Sequence, residues 1–127
     1  MRVFIVENSA IIRERLVSLL SDLQDVEVIG SAEDAVAAIE SIRLMMPDVV
    51  ILDVQMPGGS GFNILQDIRQ NRLPAVVIIF TNSPFPQYRQ RFIEAGADFF
   101  LDKSTEFDKL LDIFNRLAQS RDAKTVS

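Results

Sequence analysis

Four polar residues each end an apolar, strand-like run in this chain, and together their types suit the handling of a cation and a phosphoryl group. Asp53 follows Val49-Val50-Ile51-Leu52 and opens the glycine-rich stretch Val54-Gln55-Met56-Pro57-Gly58-Gly59-Ser60-Gly61. Glu7 follows Val3-Phe4-Ile5-Val6, Thr81 follows Val76-Val77-Ile78-Ile79-Phe80, and Lys103 follows Phe99-Phe100-Leu101-Asp102. A carboxylate at the end of a buried strand is a poor core residue and is well placed to meet a ligand. Taken singly, each residue has a plainer role: Asp53 as a helix cap, Glu7 as a solvated strand end, Thr81 in a turn, Lys103 on the surface. If the four runs lie parallel and side by side, an acid pair, a hydroxyl and an ammonium converge on one edge of a sheet.

Absent residues narrow the chemistry further. The 127-residue chain has neither Cys nor His, which removes disulfides, thiolate nucleophiles, imidazole acid–base catalysis and most zinc sites. Carboxylates, hydroxyls, lysine and a hard, oxygen-seeking ion such as Mg²⁺ remain. A net charge of −5 with no basic cluster argues against direct nucleic-acid binding. No apolar run approaches the roughly 18 residues of a membrane span, and Met1-Arg2-Val3-Phe4-Ile5-Val6-Glu7 reaches charge too early for a secretory segment. The expected setting is cytoplasmic, without membrane attachment.

Strands and helices must alternate to bring the four residues together. The first helix carries Ile11, Ile12, Leu16, Leu19, Leu20 and Leu23 at helical spacing, with Arg13, Glu14 and Arg15 outward. A second strand spans 26–30, Ser31-Ala32-Glu33-Asp34 starts a helix over about 34–44, and Pro47 closes the connection into the Asp53 strand. A third helix runs from about Phe62 to Asn71 on Phe62, Leu65 and Ile68, and Pro74 precedes the fourth strand. Asn82-Ser83-Pro84-Phe85-Pro86 makes a stiff loop into a polar helix ending at Gly96. Ser104 or Thr105 can cap a last helix carrying Phe107, Leu110, Leu111, Phe114 and Leu117. The period is lost over 119–127, so one domain over 1–119 and a disordered tail over 120–127 are expected. Five strands alternating with five helices predict a doubly wound α/β sandwich with a parallel sheet, whose ligands bind beyond the carboxyl ends of the strands. The glycines at 58, 59 and 61 read as turn punctuation, since the Gly-Lys-Ser/Thr ending of a P-loop is missing.

Val6-Glu7-Asn8, Leu52-Asp53-Val54-Gln55-Met56-Pro57 with Gly61, Phe80-Thr81-Asn82-Ser83, and Gly96-Ala97-Asp98-Phe99-Phe100-Leu101-Asp102-Lys103 resemble the receiver domain of bacterial two-component response regulators, over roughly residues 2–118. The resemblance implies a flavodoxin-like sheet of order 2-1-3-4-5. Asp53 would be the phosphorylation site, fed by a phosphohistidine on a histidine kinase or histidine phosphotransfer protein. Mg²⁺ would be held by Glu7, Asp53 and the backbone carbonyl of Gln55, with Asn8 either a further ligand or the N-cap of the first helix. Thr81 and Lys103 would contact the phosphoryl oxygens, and Phe100 would be the aromatic switch. The fourth helix, fifth strand and fifth helix would form the face for a downstream protein, and a homodimer is compatible with this.

Three departures weaken the match. Asn8 stands where a second acid is usual, so weaker Mg²⁺ binding follows. Ser104 stands where Pro often follows the lysine, and Phe100 cannot donate the hydrogen bond of a tyrosine. The chain would work as a signalling switch, catalysing only its own phosphorylation and dephosphorylation, and 127 residues leave no room for an added helix-turn-helix; it reads as a stand-alone regulator or the receiver part of a longer one. The alternative is a pseudo-receiver, an interaction module of the same fold without phosphotransfer. A haloacid-dehalogenase-type phosphatase wants an acid where Gln55 stands, and a flavodoxin wants a phosphate loop where Glu7-Asn8-Ser9-Ala10 stands.

Overall fold

Apolar runs with no polar alternation become strands buried on both faces. The computed structural model describes residues 1–56, 58–82 and 85–126. Over these residues the chain runs β1 (Arg2–Val6), α1 (Ala10–Ser21), β2 (Glu27–Ala32), α2 (Ala35–Met45), β3 (Val49–Leu52), β4 (Gln55–Met56), β5 (Gly59–Ser60), α3 (Gly61–Gln70), β6 (Val76–Thr81), α4 (Pro86–Glu94), β7 (Phe99–Asp102) and α5 (Lys109–Val126). A five-stranded parallel sheet has the order β2-β1-β3-β6-β7, which is the expected 2-1-3-4-5 counted along its own strands.

Strand parity divides the core. Phe4 and Val6, Val50 and Leu52, Val77 and Ile79 pack into one cluster with Ile42, Ile64, Leu65 and Phe92. Their alternates Val3 and Ile5, Val49 and Ile51, Ile78 and Phe80 pack into another with Leu16, Leu20, Leu110 and Phe114. Thus α2, α3 and α4 cover one face of the sheet, and α1 and α5 the other.

Several local expectations are corrected. Asn8 is exposed, and Ser9 caps α1, its side chain accepting the Ile12 N–H at 3.3 Å. Ile11, assigned by its spacing to the buried stripe, is 77% exposed; it stands about 180° round the helix from buried Leu20, whereas its neighbour Ile12 packs on the core. The second strand is displaced to Glu27–Ala32. Gln55 and Met56 pair antiparallel with Ser60 and Gly59, a ladder too short to leave a period in sequence. Ser60 then caps α3 in a reciprocal box with Asn63. Neither Ser104 nor Thr105 caps α5, which begins at Lys109; both hydroxyls are taken by Asp102. The backbone of α5 is helical to Val126, and residues 120–126 contain no Gly or Pro to break it. Pro57 of the Met-Pro signature and Ser83-Pro84 of the stiff loop lie outside the described residues. Gly96, φ +112°, follows α4 in the stop position expected of it.

Candidate functional site

The parallel register brings the strand ends level: Val6 pairs with Leu52, Leu52 with Ile79, and Thr81 with Asp102. Glu7, Asp53 and Lys103 are therefore the next residues out along β1, β3 and β7. The Asp53 N–H donates to Val6 O at 3.0 Å and the Lys103 N–H to Thr81 O at 2.9 Å, so the ladder runs one step into the site. Parity places these three on the side of α1 and α5, whereas Thr81 and Phe100 belong to the opposite face.

Their side chains meet. Lys103 Nζ lies 2.7 Å from Glu7 Oε2, 2.9 Å from Glu7 Oε1 and 3.0 Å from Asp53 Oδ2. Asp53 Oδ1 accepts the Val54 N–H at 2.8 Å, which fixes the carboxylate plane. The Asp53 side chain is 13% exposed against 2% for Glu7 and 5% for Lys103, so the carboxylate most open to an incoming group is that of Asp53. Burial pushes the Glu7 carboxyl above its ordinary pKa and the Asp53 charge adds to this, while hydrogen bonds from Lys103 and the Ser9 N–H pull it back. Arg13, read as an outward residue, donates to the Glu7 carbonyl at 3.1 Å and pairs with Glu33 at 2.9 Å, tying the end of β1 to α1 and to the loop before α2.

The donor chemistry fits a hard divalent ion with few protein ligands. Among the described residues no three acidic, imidazole or thiol side chains gather around one point. Glu7 and Asp53 supply two carboxylates, and the exposed Gln55 follows on β4. Mg²⁺ characteristically takes one or two carboxylates and keeps several waters. Two carboxylates about 4 Å apart repel by roughly 4 kcal/mol at an effective dielectric near 20, and Lys103 offsets this.

Thr81 is 2% exposed at the end of β6, and Phe100 is 5% exposed. The Phe100 ring lies 5.9 Å from that of Phe92, which meets Phe62 edge-on at 5.4 Å; Arg91 covers Phe62 at 4.3 Å. Sequence reasoning named Glu7, Asp53 and Lys103, which the fold unites, and Thr81 beside them. It missed Arg13 and Asp102. The signal for Asp102 was present: Asp-x-Ser is an Asx-turn pattern, with a carboxylate reaching the N–H two residues on.

The family profile described as response regulator receiver domain matches residues 3–115. The chain is 34% identical over 120 residues to the transcriptional regulatory protein YvfU of Bacillus subtilis, covering 94% of this chain and 60% of that protein. It is 33% identical over 126 residues to the transcriptional regulatory protein BtsR of Salmonella typhi, covering 99% and 52%. It therefore spans just over half the length of these relatives. Among solved structures, the signal receiver domain of the response regulator NarL from Mycobacterium tuberculosis superposes with a TM-score of 0.85 at 30% identity, over 93% of this chain and 95% of that one. The response regulator domain of Thermotoga maritima CheB superposes with a TM-score of 0.82 at 26% identity, over 94% of each.

Proposed function

This chain belongs to the response regulator receiver domain family, and from that membership and its site geometry we propose that Asp53 is a phosphoacceptor, taking its phosphoryl group from a phosphohistidine on a histidine kinase or phosphotransfer protein. The observation that carries the reading is the Lys103 ammonium shared between Glu7 and Asp53. A carboxylate pair held by a movable point charge can exchange that charge for a phosphoryl group and a metal ion.

A carboxylate oxygen of Asp53 attacks phosphorus in line; the P–N bond breaks and the departing imidazole nitrogen keeps the electron pair. The Val54 N–H orients the attacking carboxylate. Lys103 moves from the Asp53 carboxylate to the equatorial phosphoryl oxygens as charge gathers there, and the Thr81 hydroxyl donates to one of them. Glu7, Asp53 and the Gln55 carbonyl would hold Mg²⁺, which when bound supplies charge neutralisation for the carboxylates and the transferring group. Hydrolysis of the acyl phosphate returns the domain to rest.

Phosphorylation would be read out on the face of α4, β7 and α5. A groove of about 390 Å³ there is lined by Arg89, Ile93, Phe99, Lys109, Asp112 and Arg116, a mixture of apolar side chains and charges of both signs, which suits a protein partner or a second copy. No helix among the described residues is long and apolar enough to cross a membrane, and a cytoplasmic regulator is the setting that matches a histidine-kinase partner.

Labelling by acetyl phosphate tests the proposal. Wild type should take up phosphate only with Mg²⁺, and Asp53→Asn should not label. A folded, unlabelled wild type would instead support the pseudo-receiver.

A further inference from the structure

We propose that Asp102 is a positioning residue for Lys103, clamping the turn from which the ammonium reaches Glu7 and Asp53; the role assigned to Lys103 rests on the phosphoacceptor reading of the site. Lysine has a long flexible stem, and on a loose turn its charge would be spread over a wide volume. Here the backbone is pinned on both sides. Ahead of Lys103, Asp102 is paired with Thr81, and the Lys103 N–H itself donates to Thr81 O. Behind it, Asp102 Oδ1 accepts the Ser104 N–H at 2.9 Å and the Ser104 hydroxyl at 2.7 Å, and Oδ2 accepts the Thr105 hydroxyl at 3.1 Å.

A second loop of bonds closes the turn. The Asp102 N–H donates to Glu106 Oε1 at 3.1 Å, the Glu106 N–H returns to Asp102 O at 2.8 Å, and Lys109 pairs with Glu106 at the start of α5. The Ser104 hydroxyl and N–H hold the Asp102 carboxyl below its ordinary pKa, so at neutral pH the carboxylate has all its acceptor positions available. Local capture of this kind outcompetes a helical start, which is why α5 begins at Lys109 and Lys103 stands on a closed turn. None of these groups touches the reacting atoms. Their effect passes through the Lys103 backbone alone.

The positioning role and a merely structural one predict different combinations of two measurements. With the clamp cut by Asp102→Ala, labelling by acetyl phosphate at saturating donor and Mg²⁺ should slow at least tenfold. Mg²⁺ binding, followed by the NMR shift of the Val54 amide, should stay as tight or become tighter, because a loosened ammonium competes less for Glu7 and Asp53. Asp102→Asn, which keeps an acceptor oxygen for Ser104, should recover part of the rate. Should Asp102→Ala fail to fold, Ser104→Ala with Thr105→Val tests the same clamp from its other side, with the same pair of results expected. Labelling at the wild-type rate, or a parallel loss of labelling and Mg²⁺ affinity, overturns the inference. If wild type itself does not label, the phosphoacceptor reading is what fails, and Mg²⁺ affinity then tests the clamp by itself: tighter binding in the variants upholds it, equal or weaker binding overturns it.

Discussion

Glu7 shows how a site residue can oppose the stability of the fold that holds it. Its carboxyl is raised above the ordinary range chiefly by burial. An acid whose folded pKa exceeds its unfolded one adds stability that is whole below the unfolded value and lost as pH rises through the folded one. At neutral pH Glu7 is therefore a liability that only a cation relieves. Glu7→Gln should unfold at or above the wild-type temperature at neutral pH, an advantage that fades in acid, while its Mg²⁺ affinity falls at least about tenfold, the scale on which even outer-shell changes act. Thermal melts beside Mg²⁺ titrations check both halves, and a destabilised Glu7→Gln would show that the pairing with Lys103 outweighs burial. The same protonation should weaken Mg²⁺ binding in wild type as pH drops through the folded pKa of Glu7. Asn8 is exposed next door, so Asn8→Asp adds a charge at little cost in burial. A several-fold gain in Mg²⁺ affinity is expected, and no gain would place residue 8 outside the metal's reach.

At the scale of elements, Gly61 is the position where geometry is least forgiving. A Cβ there would fall 2.1 Å from the Asp53 carbonyl oxygen, and the Gly61 N–H closes the loop by donating to Val54 O at 2.9 Å. Gly61→Ala must push the end of β3 away from the start of α3, at a cost of about 1–3 kcal/mol as an overpacked contact. Because the displaced strand end carries Asp53, acetyl phosphate labelling should fall more than stability does; a variant that labels normally would show the loop absorbing the shift elsewhere. In sequence this glycine read as turn punctuation and as one residue of a family signature, since composition signals a turn without saying which backbone comes close. The alternation of strands and helices was legible because uninterrupted runs such as Val49–Leu52 are short, β-branched and bounded by turn residues, which favours a strand buried on both faces over a helix. The convergence of Glu7, Asp53 and Lys103 was legible for the same reason, as parallel strands align their carboxyl ends. The β4–β5 ladder was not, being two residues long, nor was the start of α5, decided by Asp102 capturing Ser104 and Thr105. Ser9 in place of Asn8 as the α1 cap was a choice between adjacent favoured residues that sequence alone leaves even.

On the scale of the whole molecule, the sheet separates the chemistry from its proposed readout. Glu7, Asp53 and Lys103 lie over the α1 and α5 core, whereas Phe100 packs with Phe92 in the core beneath α2, α3 and α4. Thr81 joins the two sides: its backbone oxygen holds the Lys103 N–H, and its parity is that of Phe100. Phe100 is already buried at 5% exposure, so the switch implied by the family resemblance starts from a ring that is inside. Phosphorylation would then act by changing how much of the population holds that position, not by opening a new space. Coupling of this kind is worth about 1–3 kcal/mol, or roughly 5- to 150-fold. Thr81→Ala removes the hydroxyl that would follow the phosphoryl oxygens and leaves the Asp53 nucleophile intact. Acetyl phosphate should still label this variant, while the ring NMR shift of Phe100 that accompanies labelling in wild type should shrink or vanish, together with any phosphorylation-dependent pull-down of a partner. If the Phe100 shift survives in Thr81→Ala, the signal crosses the sheet by another path, of which the Lys103 turn leading into α5 is the next to test.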